Sequence, residues 1–159
     1  MNILLVDDHA VVRQGYASLL RAVLPAMDVR EAATGEEALA RVQEAVPNLV
    51  IMDFGLPGIS GLETTRRLRQ RLPQLRVLFF SMHDELLLVR QALDAGASGY
   101  LTKSSAPQVL IEAVRRIMPK LNLEERTIPP EVLDTLSVVR DDFLEALKRV
   151  QPSAMREVM

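Results

Sequence analysis

Four stretches of the chain end in side chains that could do chemistry together. Asp7, Asp8 and His9 follow the apolar run NILLV, and Asp53 follows LVIM. Ser81, Met82 and His83 follow VLFF, and Lys103 follows GYLT. Three carboxylates brought together repel one another, and their pKa values rise. A hard divalent cation removes that conflict, because Mg²⁺ prefers oxygen ligands and keeps some of its waters. A lysine and a hydroxyl beside the metal add further donors. Such a set is suited to holding a phosphoryl group, whose oxygens the metal and the ammonium neutralise. One carboxylate can itself be the nucleophile and form an aspartyl phosphate.

Each residue alone has a plainer role. An aspartate after a strand is commonly a turn former, and Asp7 and Asp8 could cap the helix that follows them. Ser81 alone is a loop hydroxyl and Lys103 alone a solvated surface lysine. His9 and His83 fit local packing or hydrogen bonding better than metal ligation. The phosphoryl reading therefore rests on the ends of four separate strand-like runs carrying compatible chemistry, not on any single motif.

The elements that must bring these ends together are legible as alternation. Short β-rich runs (NILLV, MDVREA, NLVIM, LRVLFF and GYL) alternate with amphipathic segments. The first helix repeats Val12, Tyr16, Leu19, Leu20 and Val23, and the second Leu39, Val42 and Val46. Thr34 with Glu37 and Ser60 with Glu63 have the spacing of capping boxes at the second and third helices, the third running from about Ser60 to Leu72. The fourth helix buries Leu86, Val89 and Leu93, with Gly96 as its stop signal. The fifth starts near Ser105 and carries Leu110, Ala113, Val114 and Ile117. Five strand–helix units with continuously apolar strands predict an α/β fold, a doubly wound five-stranded parallel sheet. In such sheets the functional crevice lies beyond the carboxyl ends of the strands, where all the candidates fall.

Composition narrows the rest. The chain has 159 residues, a formal net charge of -2, 48% hydrophobic residues and 25% charged residues. That suits one compact domain with a small appendage and gives no whole-chain reason to expect nucleic-acid binding. The absence of cysteine excludes disulfides and thiolate metal sites. No apolar run is long enough to span a membrane, and no signal peptide is visible, so the expected location is the cytoplasm.

The stretches LLVDDHAVVRQG, NLVIMDFGLPGISGLE, VLFFSMHDE and DAGASGYLTKS resemble a bacterial response-regulator receiver domain with a flavodoxin-like fold. More narrowly, they are similar to the class that usually precedes a LuxR-type helix-turn-helix. The resemblance covers about residues 1–118. It implies that Asp53 accepts a phosphoryl group from a sensor histidine kinase or a small phosphodonor. It implies Mg²⁺ held by Asp7, Asp8, Asp53 and the backbone carbonyl of Gly55. It assigns phosphoryl contacts to Lys103 and Ser81, and a switch to Ser81 and Tyr100. Gly55 and His83 stand where the lifetime of the phosphorylated state is tuned. Ser104 occupies the place where many receivers have a proline, so a cis-proline is not available there.

Residues 119–159 do not continue into a recognisable DNA-binding domain. Glu131 to Leu136 and a segment opening at Asp141 or Asp142 read as short helices, with Phe143, Leu147 and Val150 at i, i+4 and i+7. The region from about residue 115 to 159, above all QPSAMREV, is similar to the lid end of the first AAA+ module of archaeal ATPases of the valosin-containing-protein class. ATPase activity does not follow, because no G-x-x-x-x-G-K-[ST] loop is present. Two resemblances meeting within one helix point to an engineered chimera. On that reading the extension shares the last receiver helix and packs on the receiver or pairs between chains as a homo-oligomer. The expected function is a non-enzymatic phosphorylation-dependent receiver without a DNA-binding output. The alternative is a chimeric scaffold without a signalling role. A phosphatase using an aspartyl intermediate ranks below both, because no acid lies two positions after Asp53.

Overall fold

The computed structural model describes residues 1–122, with side chains through Met118. The elements are β1 Asn2–Val6, α1 Ala10–Val23, β2 Asp28–Ala32, α2 Gly35–Glu44 and β3 Leu49–Met52. They continue as α3 Gly61–Arg71, β4 Arg76–Ser81, α4 Leu86–Asp94, β5 Gly99–Thr102 and α5 Pro107–Asn122. The five strands pair in parallel in the order β2-β1-β3-β4-β5. This is the doubly wound parallel sheet that the alternation predicts, in the flavodoxin-like form that the resemblance implies. The short helices and stripe expected beyond residue 122, and any pairing through them, lie outside the described residues.

Strand residues alternate between two apolar layers, as a period of two requires. Leu4, Val6, Val50, Met52, Val77 and Phe79 pack beneath Ala38 and Val42 of α2, Leu68 of α3 and Leu93 of α4. Ile3, Leu5, Leu49, Ile51, Leu78 and Phe80 pack beneath Ala17 and Leu20 of α1 and Leu110, Val114 and Ile117 of α5. Both faces of the sheet are therefore dry, which is why its strands read as unbroken apolar runs.

Local signals set the helix ends. The Thr34 hydroxyl accepts from Glu37 N at 3.0 Å, and Ser60 accepts from Glu63 N at 3.1 Å. The reciprocal arm of the first box falls one residue early, where Glu37 accepts from Ala33 N at 3.2 Å. Gly96 adopts φ 103° just after α4, a conformation glycine enters without a Cβ penalty. The fifth helix, expected from near Ser105, opens at Pro107; proline suits a first helical position because that N–H has no partner there.

Three predicted stripes need correction. In α1 the sheet-facing residues are Ala17 and Leu20, whereas Val12 and Val23 are exposed. The expected stripe straddles the helix edge, and only its centre reaches the sheet. Val46 is 55% exposed because α2 ends at Glu44 and the chain has already turned toward β3. In α4, Leu86 and Val89 are only partly buried, and Ala92 joins Leu93 in the core.

Candidate functional site

The sheet ladder carries the candidate residues one step past the ends of their strands. Val6 pairs with Met52, so Asp7 and Asp53 are the next residues on neighbouring strands. Their backbones extend the ladder: Asp7 N donates to Ala32 O and Asp53 N to Val6 O, both at 3.0 Å. On the other side Ser81 pairs with Thr102, and Lys103 N donates to Ser81 O at 2.8 Å. Parallel register alone thus brings Asp7, Asp53, Ser81 and Lys103 to one edge of the sheet.

Their side chains meet. Lys103 Nζ donates to Asp7 Oδ2 at 2.5 Å and to Asp53 Oδ2 at 3.3 Å. All three side chains are buried, with 4–7% of each exposed. Asp8 and His9 stand at the solvent side. His9 Nδ1 lies 3.4 Å from Asp7 Oδ1 and 3.2 Å from Asp8 Oδ1. Asp7, Asp8, His9 and Asp53 each offer a ligand atom within 4.8 Å of the others. The simple capping role for Asp7 and Asp8 does not hold, because α1 begins after His9 with no side-chain cap. Asp7 Oδ1 instead accepts from His9 N at 2.8 Å, which stiffens the turn.

Electrostatics follow from this burial. One buried ammonium faces two buried carboxylates, with Asp8 nearby, so the pocket keeps a negative excess. Burial pushes the Asp53 carboxyl above its ordinary value of 3.8, the neighbouring Asp7 and Asp8 charges add to this, and Lys103 opposes it. Burial alone would lower Lys103, but its bond to Asp7 and the charge of Asp53 hold it above 10.5. The donor set fits a small cation bound by oxygen: hard carboxylates, one face open at Asp8, and an excess of negative charge.

The remaining candidates line the same edge. Ser81 is fully buried, and its Oγ accepts from His83 N at 3.2 Å. Tyr100 is 1% exposed, stacks on Phe79 with ring centroids 5.9 Å apart, and donates its hydroxyl to His83 O at 2.6 Å. Burial raises the phenol pKa, while its bond to Ser81 pulls the other way. His83 is half exposed and faces the loop after Asp53: a Cβ on Gly55 would sit 3.5 Å from His83 Nε2. The Phe54 and His83 rings lie edge to face, 6.1 Å apart. No cis peptide occurs among the described residues, in keeping with Ser104 after Lys103.

One residue of this neighbourhood escaped the sequence reading. Arg13 of α1 donates from Nη1 to the Asp7 carbonyl at 2.7 Å and from Nε to Glu31 Oε1 at 3.0 Å. A signal was present: a cation in the first turn of a helix opposes the macrodipole and calls for a partner.

Comparison with known proteins identifies the assembly. The "Response regulator receiver domain" family matches residues 3–115. The "Transcriptional activator protein ExaE" of Pseudomonas putida is 70% identical over 118 residues, covering 74% of this chain and 55% of that protein. "Response regulator GacA" of Pseudomonas viridiflava is 34% identical over 152 residues, covering 96% of this chain and 65% of that protein. The chain thus spans about half to two thirds of the length of these relatives. Among solved structures, a LuxR-family two-component response regulator from Aurantimonas sp. SI85-9A1 superposes with a TM-score of 0.69 at 39% identity. That match covers 86% of this chain and 94% of the other. Matched over most of its length, and carrying its acidic cluster and lysine on adjacent strand ends, this chain belongs to the response-regulator receiver domain family.

Proposed function

We propose that the chain is a phosphoryl-accepting receiver in which Asp53 is the phosphoacceptor. The observation that carries this reading is the buried Lys103 spanning Asp7 and Asp53 in a pocket that keeps excess negative charge. Asp7, Asp8, Asp53 and the Gly55 carbonyl would hold Mg²⁺, which when bound supplies charge neutralisation for the phosphoryl oxygens. An Asp53 carboxylate oxygen attacks the phosphorus, and the bond from phosphorus to the donor (the phosphohistidine of a sensor kinase or a small phosphodonor) breaks. Lys103 then pairs with the phosphoryl oxygens. Ser81 and Tyr100 act as the switch, since the Tyr100 hydroxyl and the Ser81 hydroxyl already share the His83 backbone. Gly55 and His83 set how readily water reaches the phosphoryl group, because they face one another across the mouth. The chemistry is self-phosphorylation and self-dephosphorylation in the cytoplasm. No DNA-binding output is assigned to this chain, although ExaE is named a transcriptional activator.

Intact-protein mass spectrometry after incubation with a small phosphodonor and Mg²⁺ tests the assignment. One phosphate adduct is expected on the native chain and none on Asp53→Asn. An adduct that persists in the variant overturns it.

The second reading is an engineered scaffold, a receiver fused to part of an AAA+ lid. It rests on the sequence resemblance of residues 115–159 to that lid alone. The GacA match across 96% of the chain weighs toward a natural regulator. Truncation near residue 120 separates integration of the tail into the fold, which lowers stability, from an appended tail, which leaves it unchanged.

A further inference from the structure

We infer that Arg13 is a positioning residue for the metal-binding turn, acting through the backbone carbonyl of Asp7 and braced by Glu31. The inference rests on the magnesium reading above.

The guanidinium is largely buried, with 14% of the side chain exposed, and uses two edges for two partners. Nη1 holds the Asp7 carbonyl at 2.7 Å, while Nε holds Glu31 on β2 at 3.0 Å. Glu31 is in turn approached at 3.5 Å by Arg21, whose Nη2 donates to Val29 O at 2.7 Å. The turn from Asp7 to His9 is thus held by the β2 ladder at Asp7 N, by His9 N at Asp7 Oδ1, and by Arg13 at Asp7 O. Among the described residues, only the Arg13 bond joins this turn to a side chain of α1. A planar fork can span a carbonyl and a carboxylate together, whereas an ammonium is a point charge. Removing the fork frees the peptide between Asp7 and Asp8 to rotate, and both carboxylates move with it.

Charge and position make opposite predictions here. Arg13 is a cation beside a cation site, so by Coulomb repulsion alone its loss would tighten Mg²⁺ binding. If it positions the turn, its loss weakens binding, as loss of outer-shell partners does by about 10- to 100-fold.

Isothermal titration of Mg²⁺ into the full chain distinguishes these, with circular dichroism confirming that each variant is folded. Arg13→Gln is expected to bind about 10- to 100-fold more weakly than the native chain. Arg13→Lys, which keeps the charge and loses the fork, is expected to bind more weakly as well. Equal or tighter binding by Arg13→Gln overturns the inference, and so does native affinity in Arg13→Lys. Should Arg13→Gln not fold, Glu31→Gln takes its place: weaker binding supports the brace, and unchanged binding overturns it. A native chain that does not bind Mg²⁺ overturns the magnesium reading, and this inference with it.

Discussion

Lys103 and Asp7 are separated by 96 residues in sequence, yet Lys103 Nζ lies 2.5 Å from Asp7 Oδ2 with both side chains buried. The same ammonium reaches Asp53, so a single cation spans two carboxylates from two other strands.

Replacing Lys103 by Gln leaves those buried carboxylates without a counter-charge. Removing one partner of a buried pair costs about 3–5 kcal/mol. Urea unfolding at neutral pH should show a loss of this order, partly restored by added Mg²⁺. The sign with pH follows from the raised Lys103 value. Its contribution is complete below the ordinary lysine value of 10.5 and is lost as pH rises through the higher folded value. The native chain's advantage over the Gln variant should therefore shrink in strong alkali, and also in acid as Asp53 takes up its proton and no longer needs a counter-charge. A variant as stable as the native chain without metal would show that the pair adds nothing.

Asp53→Asn should behave in the opposite way. The folded chain favours the protonated Asp53, chiefly through burial and then through Asp7 and Asp8. The stability from that proton is present below 3.8 and is lost as pH rises through the raised folded value. In the absence of metal, Asp53→Asn should melt at a higher temperature than the native chain at pH 7. The gap should close as pH falls. Added Mg²⁺ should raise the melting temperature of the native chain more than that of the variant.

Glycine spacing near the site can be tested with a matched pair. A Cβ on Gly61 would lie 2.0 Å from the Asp53 carbonyl oxygen and 3.1 Å from Phe54 Cα, both backbone atoms. Gly61→Ala should cost about 1–3 kcal/mol, the usual penalty for overpacking. Gly15 lies inside α1 with nothing within 4 Å of a Cβ. Gly15→Ala should stabilise by roughly 0.5–1 kcal/mol, since alanine loses less entropy in a helix. Chemical denaturation of the two variants checks both signs, and a destabilised Gly15→Ala would contradict the packing around α1.

Tyr100→Phe keeps the stack on Phe79 and removes the 2.6 Å bond to His83 O. The expected loss is about 0.5–1.5 kcal/mol, the net worth of one hydrogen bond. The phenol value is raised, so its proton stabilises the fold below 10 and this contribution fades above it. An alkaline melting series should therefore fall less steeply for the Phe variant than for the native chain.

Much of this site was readable from residue order. A strand covered on both faces must be apolar throughout, so the first polar residue after LVIM or NILLV marks where the sheet opens. That logic placed Asp7, Asp8, Asp53, Ser81 and Lys103 at strand ends, and the ladder bonds put all but Asp8 there directly. The capping serines and threonines worked because their bonds are local, three residues apart. Helix faces were less legible. Val12, Val23 and Val46 are apolar at helical spacing but exposed, because spacing gives a stripe and not the angle at which a helix meets the sheet. Arg13 was missed because its partners, the Asp7 carbonyl and Glu31, come from two other elements.

Residue order by itself determined the alternation of strands and helices, the parallel topology and the identities of the groups at the strand ends. These follow from hydrophobic period and local hydrogen bonding, which act over a few residues. Tertiary structure decided what the groups do to one another. Only the register of β1, β3, β4 and β5 brings Lys103 onto Asp7 and Asp53, buries all three and leaves a negative excess beside Asp8. Charge interactions depend on distance and burial through space, and neither is written in the spacing along the chain.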